Sequence, residues 1–297
     1  MPPDWLLFGA GLEQLIDQIS RALLEPGARV LLPVPNFDPF ETFSRRMGAE
    51  VDPLHPPGLR WDRAVTREAA ERLRHGRFRL LWLSNPVNPT GQHIPVAEIG
   101  RMVKAARLAG TAVVVDEAYG EYTDRPEGVV SASRFLAEAP NLLVLRTFSK
   151  AHCLPGGRVG YLLCASGGLR KAVDAYRPMF PAPWISLHLA KLAASDPDHA
   201  TRAREMAAGR RTRFLANASR LPGFQFLASD TNTIMFRHHQ ADADTLHAAL
   251  AARGFLTANL NSLTGIQGHN WLRLTLHRDE LNDAFLQACR KAVQYLG

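Results

Sequence analysis

An α/β fold, with a three-layer αβα large domain and a smaller α+β C-terminal domain, is predicted by three observations. Short apolar runs alternate with stretches at helical spacing, each run is continuous rather than alternating, and polar residues gather at the carboxyl ends of the runs. Continuous apolar strands are buried on both faces, the habit of a mostly parallel sheet covered by helices on each side. The carboxyl ends of such strands are where ligand crevices open.

The elements follow in order. Gly11 opens a helix with Leu12, Leu15, Ile16, Ile19, Leu23 and Leu24 on one face, and "EPG" (Glu25–Gly27) stops it. "RVLLPV" reads as a buried strand, followed by a helix carrying Phe40, Phe43 and Met47. "RLLWLS" (Arg79–Ser84) is a second strand, ended by "NPVNPTG", and a helix follows from Val96 to Leu108. "TAVVVDEAY", "NLLVLRT" and "RVGYLLC" supply the third, fourth and fifth strands. The proline-rich "PMFPAPWIS" breaks the pattern. A long helix from about Pro197 to Leu221 comes next, with Arg202, Arg204, Arg210 and Arg211 on its polar side. Two strands ("TNTIMFR", "WLRLTL") enclose a helix over Asp242–Arg253, and a last helix runs from Asp279 to Tyr295. The expected domains are residues 1–196 and 197–297.

Composition narrows the function classes. The 297 residues are 46% hydrophobic and 21% charged, as in an ordinary globular protein. No apolar run reaches the roughly 18 residues of a membrane span, and the N-terminus lacks the basic, apolar pattern of a signal peptide. A cytoplasmic location is expected. Cys153, Cys164 and Cys289, an odd set without CxxC spacing, read as free thiols. Eleven histidines form no metal-ligand pattern, so no metal is expected. The net charge of +7 is spread over scattered arginines and lysines without interleaved aromatics, so neither nucleic acid nor membrane is expected as a partner. His152 and Cys153 are adjacent, and neighbours in an extended segment point apart, which argues against a Cys–His nucleophile.

Five residues at strand ends form the chemical constellation. Asp116 ends a buried strand, where a carboxylate is costly without a cation. Asn88 sits in a turn fixed by Pro89 and Gly91. Tyr119 follows Asp116 by three residues. Lys150 comes after the fourth strand, and Arg158 lies across a Pro-Gly-Gly turn from it, where backbone and guanidinium can approach an anion.

"NPVNPTG", "VVVDEAYGEY" and "RTFSKAHCLPGGRVGY" together resemble the fold-type I, pyridoxal phosphate (PLP)-dependent aminotransferases of class I/II, nearest the histidinol-phosphate aminotransferase and threonine-phosphate decarboxylase branch. The resemblance runs from about Phe8 to the C-terminus. It implies that Lys150 forms the Schiff base with PLP and then moves protons. It implies that Asp116 pairs with the pyridine nitrogen, keeping the ring an electron sink, while Asn88 and Tyr119 bond the 3′-oxygen. Thr147, Ser149 and Arg158 would hold the phosphate, joined by the amides of Leu12 and Glu13 after Gly11, because helix N-termini bind phosphate. Phe37 would stack on the ring. Arg273, in "NWLRLTL", would grip the substrate α-carboxylate as a fork. An amino donor, a 2-oxo acid acceptor and a homodimer complete what the resemblance implies.

The sequence departs from that family in two places. Met1 stands ten residues before Gly11, where the family carries tens more that supply an N-terminal arm, part of the small domain and residues closing over the substrate. In "TANLNSLTGI", Ala258 and Asn259 stand where amino-phosphate-handling relatives often place an arginine. Two alternatives to transamination stay open at this level: a decarboxylase of the threonine-phosphate type, and a PLP-binding protein without turnover.

Overall fold

The computed structural model describes residues 2–123 and 131–294. The first part of the chain builds a seven-stranded sheet from β1 (Leu6–Ala10), β2 (Arg29–Pro33), β3 (Glu50–Leu54), β4 (Leu80–Ser84), β5 (Ala112–Asp116), β6 (Leu142–Thr147) and β7 (Val159–Leu163). Their spatial order is β1-β7-β6-β5-β4-β2-β3. The block from β3 to β6 is parallel, whereas β7 and β1 run antiparallel to their neighbours. The turn-back at β7 has a simple cause. A parallel return needs a crossover of a dozen or more residues, usually a helix, and the segment after β6 is spent on the short Lys150–Arg158 loop.

Helices α1 (Leu12–Leu23), α2 (Asp38–Arg46), α3 (Arg63–His75), α4 (Val96–Leu108), α5 (Gly167–Asp174) and α6 (Trp184–Ala194) accompany this sheet. Alternate residues of each central strand enter different cores. Val30, Leu32, Trp82, Val114, Leu143 and Leu145 pack with Leu15, Ile16 and Ile19 of α1 and Phe40 of α2. Leu31, Leu81, Leu83, Val113, Val115 and Val144 pack with Val65 and Leu73 of α3 and Ile99 and Met102 of α4. A strand with apolar residues at every position is thereby covered on both faces.

The rest of the chain forms a second layer pair. Helix α7 (His199–Ala218), β8 (Phe224–Phe226), β9 (Thr233–His238), α8 (Ala243–Ala251), β10 (Ala258–Asn259), β11 (Leu272–Thr275) and α9 (Asp279–Val293) follow in order. The four strands make an antiparallel sheet, β10-β11-β9-β8. Phe214, Phe236, Leu250, Leu272, Phe285 and Cys289 fill its core. Tyr295, the expected end of the last helix, lies outside the described residues.

Several elements differ from the sequence expectation. Strands β1 and β3 were not anticipated: both lie at sheet edges, and β3 contains Pro53, which edges tolerate. Helix α3 was also missed, although Asp62 caps it by accepting from the Val65 amide at 2.9 Å and Val65, Ala69 and Leu73 recur every four residues. Arg211 does not lie on the solvent side of α7. It is buried, and its Nη1 donates to the Thr231 carbonyl at 3.2 Å. Among the described residues no helix is long and apolar enough to cross a membrane.

Candidate active site

A cleft of about 140 Å³ opens where the carboxyl ends of β4, β5 and β6 meet the N-terminus of α1. Every residue expected to touch the cofactor lines it except Gly11, which touches Arg158 beneath it.

One end is built for an anion. Gly11 precedes α1 with φ +81° and ψ 178°, a conformation essentially restricted to glycine. A Cβ there would lie 2.3 Å from Arg158 Nη2, so the guanidinium occupies the space that glycine leaves. Gly160, on β7 opposite Gly9 of β1, serves the same approach: its Cβ would meet the Gly11 carbonyl carbon at 2.8 Å and the Leu12 amide nitrogen at 3.0 Å. The first-turn amides of Leu12 and Glu13 have no carbonyl partner within the helix and suit a phosphate. The Thr147 hydroxyl lies 3.0 Å from that of Ser149 and accepts from the Ser149 amide at 3.1 Å, folding both hydroxyls to the same wall. Arg158 itself is left-handed, φ 50°, and its Nη1 donates to the Pro155 carbonyl at 3.2 Å.

The other end holds a costly charge. Asp116 is 5% exposed and accepts from the Ala118 amide at 2.8 Å. Burial pushes its carboxyl up to about 7; the Ala118 amide and the Lys150 ammonium pull it down, and Glu117 pushes it up. Lys150 Nζ lies 5.0 Å from the centre of the Tyr119 ring. Phe37 ends the turn before α2 and packs edge-on against Phe40, centroids 5.7 Å apart, leaving its ring on the cleft wall.

Asn88 joins this site to the second sheet. Its amide donates to Ser84 Oγ at 3.0 Å, and that hydroxyl donates to Asn36 Oδ1 at 2.6 Å. Its side-chain oxygen accepts from Arg273 Nη1, on β11, at 2.6 Å. The same loop is clipped further along. The Asp230 amide donates to the Gly91 carbonyl at 2.8 Å, and the His93 amide to Asp230 Oδ2 at 3.0 Å. Arg273 thus borders the cleft through Asn88 rather than lining it. Sequence reasoning missed Ser84, Asn36 and Gly160. Ser84 could have been found as the last polar residue of "RLLWLS", whereas Gly160 needs the β1–β7 pairing, which no local pattern announces. His152 packs between Phe148 and His199, centroids 4.9 and 5.4 Å away, and Cys153 is exposed.

The profile of the family described as "Aminotransferase class I and II" matches residues 2–288. The chain belongs to the class I and II aminotransferases. A histidinol-phosphate aminotransferase of Symbiobacterium thermophilum is 30% identical over 293 residues, 99% of this chain and 77% of the relative. One from Carboxydothermus hydrogenoformans is 29% identical over 99% of this chain and 78% of its own length. Among solved structures, the histidinol-phosphate aminotransferase of Sinorhizobium meliloti in complex with pyridoxal-5′-phosphate superposes with a TM-score of 0.79 at 26% identity, over 100% of this chain and 78% of that one. The L-threonine-O-3-phosphate decarboxylase of Porphyromonas gingivalis (TM-score 0.80, 22% identity, 99% and 85% covered) shares the fold.

This aminotransferase uses PLP and moves an amino group between an amino donor and a keto acid. The cleft fits that cofactor on two independent observations. A buried carboxylate awaits a cation at one end, and a glycine-cleared guanidinium with helix amides awaits an anion at the other.

Proposed function

We propose that Lys150 anchors PLP in this cleft and moves the proton of the transamination. The observation that carries the reading is that one cleft joins Lys150, Asp116 and the Gly11–Arg158 cradle. Gly11, the amides of Leu12 and Glu13, Thr147, Ser149 and Arg158 hold the phosphate; Asp116 pairs with the ring nitrogen; Asn88 and Tyr119 bond the 3′-oxygen; Phe37 covers the ring. Bound there, PLP supplies an electron sink for negative charge developing at the substrate Cα. Lys150 Nζ removes the Cα proton and later returns it. Arg273 receives the α-carboxylate, in exchange for its bond to Asn88.

The amino substrate in this reading carries a carboxylate and no phosphate. Ala258 pairs with Arg273 across the β10–β11 ladder, and Asn259 Nδ2 is engaged by Asp244 Oδ1 at 2.6 Å, so β10 offers no cation to a second anion. A second reading, with histidinol phosphate as the amine, is favoured by the names of the relatives. Incubating the PLP form with a panel of amino acids and amino phosphates, and following conversion to the pyridoxamine form, decides between them. Conversion by histidinol phosphate alone would reject the first. Release of carbon dioxide without pyridoxamine would establish decarboxylation instead.

We also infer a homodimer paired through α6 and the segment before it. Met179, Phe180, Trp184 and Ile185 are all more than 60% exposed, and Leu187, Leu189 and Leu192 extend the surface. Large apolar side chains on a surface helix are normally buried, and a contiguous exposed apolar patch of this kind marks an interface. It packs beside the Pro155–Gly157 turn that leads to Arg158, so a second copy would sit next to the phosphate end. The domain boundary is proposed between residues 196 and 197, supported by the separate core that Phe214 and Ala218 of α7 enter, although Ala203 and Ala207 of the same helix pack on the first core. Limited proteolysis that cut elsewhere first, inside α7 for example, would move it.

A further inference from the structure

Asp116 and Tyr119 come from the end of β5 and the turn after it, Lys150 from the loop after β6, and a group of charges unused by the reaction lies behind all three. Glu117 follows Asp116 and so points to the other side of the strand. It is 2% exposed; its Oε2 accepts from Ser131 Oγ at 2.6 Å and its Oε1 from the Ala132 amide at 2.7 Å. Glu121, two residues beyond Tyr119, is also buried. Its Oε1 accepts from Arg146 Nη2 at 2.9 Å, and its Oε2 has no hydrogen-bond partner among the described residues. Arg146 stands on β6 four residues before Lys150, and its Nε comes within 3.9 Å of Glu117 Oε2. One guanidinium therefore reaches the residue after Asp116, the residue two past Tyr119, and the strand that delivers Lys150.

The charges facing this guanidinium can be counted. Glu117 and Glu121 are the acids and Arg146 the base; burial foremost raises the Glu117 carboxyl, against the pull of Arg146 and the bonds from Ser131 and Ala132. His152, two residues past Lys150, is held towards its neutral form by burial foremost and by the neighbouring His199 and Arg146, against the pull of Glu121. Tyr161, paired with Arg146 across the β6–β7 ladder, is kept neutral by burial, which raises its hydroxyl. Two acids thus face one guanidinium. Buried carboxylates stripped of their cation are strongly unfavourable, so Arg146 is what allows both to sit beside Asp116.

We propose that Arg146, bonded to Glu121 and beside Glu117, is a positioning residue of the cofactor site: it fixes Tyr119 and Lys150 relative to Asp116 and offsets negative charge behind them. The inference rests on the placement of PLP in the cleft.

The test compares holoprotein with the variants Glu121→Gln, Arg146→Lys and Arg146→Met. Three quantities are measured: PLP affinity, thermal unfolding, and the pH midpoint at which the visible absorption of bound PLP changes. That change follows formation of a cation, which nearby negative charge favours. Glu121→Gln keeps the shape and the acceptor but removes an acid, so the midpoint falls, by about one pH unit at an effective dielectric near 20. Arg146→Met raises the midpoint and weakens PLP binding at least about tenfold. Arg146→Lys returns the midpoint to near the wild-type value while affinity stays about threefold reduced, because an ammonium keeps the charge but not the planar guanidinium that bonds Glu121 while lying beside Glu117. A Glu121→Gln midpoint within about 0.2 units of wild type, the expected charge effect being absent, overturns the proposal. So does an Arg146→Met protein that binds PLP like wild type. Should Arg146→Met fail to fold, the other two variants decide. Borohydride labelling of wild-type Lys150 checks the site separately, so an error there shows without any variant.

Discussion

Lys150, Asp116 and Gly11 each carry a distinct physical demand, and each gives a separate prediction. Lys150→Ala leaves the phosphate cradle in place but removes the amine, so PLP still binds while turnover falls on the order of 10⁴-fold. Single-turnover conversion of an amino donor measures this, and borohydride should no longer fix the cofactor to the chain. Asp116 governs a pH effect in the cofactor-free protein. Its folded carboxyl titrates near 7, above the ordinary value. The folded state therefore holds this proton more tightly than the unfolded chain, and stability is lost as pH rises through 7. Glu117, also raised by burial, acts in the same direction. Apoprotein melting temperature should fall between about pH 4 and pH 7 and level off above it, and Asp116→Asn should flatten the fall by a few degrees, at about 2 °C per kcal/mol for a chain of this size. Adding PLP should remove most of it by supplying the missing cation. Gly11→Ala puts a methyl group where Arg158 lies and forces φ +81° on a residue that avoids it. PLP affinity should drop about ten- to hundredfold, read by equilibrium titration, at about 1–3 kcal/mol of strain.

At the level of elements, packing decides what local pattern cannot. Arg211 illustrates this: α7 looks like an arginine-studded solvent helix, yet one of its arginines turns inward to the carbonyl before β9. Arg211→Leu should cost about 1–3 kcal/mol by leaving that carbonyl unpaired, seen as a lower denaturant midpoint, whereas Arg210→Leu should be nearly silent. The central strands β2, β4, β5 and β6 were legible in the sequence because burial on both faces makes them unbroken apolar runs. Helices α1 and α4 were legible from spacing and stop signals, and α4 ends where the pattern predicts. Edge strands β1 and β3 were not, since an edge needs only half its residues apolar. The residues expected at strand ends do gather in one cleft, because their order along the chain follows the order of the strands that carry them. Glu117, Glu121 and Arg146 could not: a buried ion pair and a solvated one look alike until the fold brings β5 and β6 together.

At the scale of the whole molecule, the second sheet reaches the edge of the cleft through the Arg273–Asn88 bond, and a largely uncovered helix, α6, lies beside the Pro155–Gly157 turn. If α6 pairs with a second copy, Trp184→Glu together with Ile185→Asp should give a monomer by sedimentation. Loss of the dimer should weaken PLP retention as well, since the pairing surface adjoins the phosphate end. A dimer that survives the double change would place the interface elsewhere. The loop carrying Asn88 has a different consequence for anyone who would redesign this enzyme. Its carboxamide is bonded to Arg273 across the gap between the sheets, and its main chain is clipped to Asp230. Changes at Asn88 and Arg273 should therefore show strong epistasis. A library that varies either position alone starts from an orphaned partner, and productive new specificities should emerge from varying the two together.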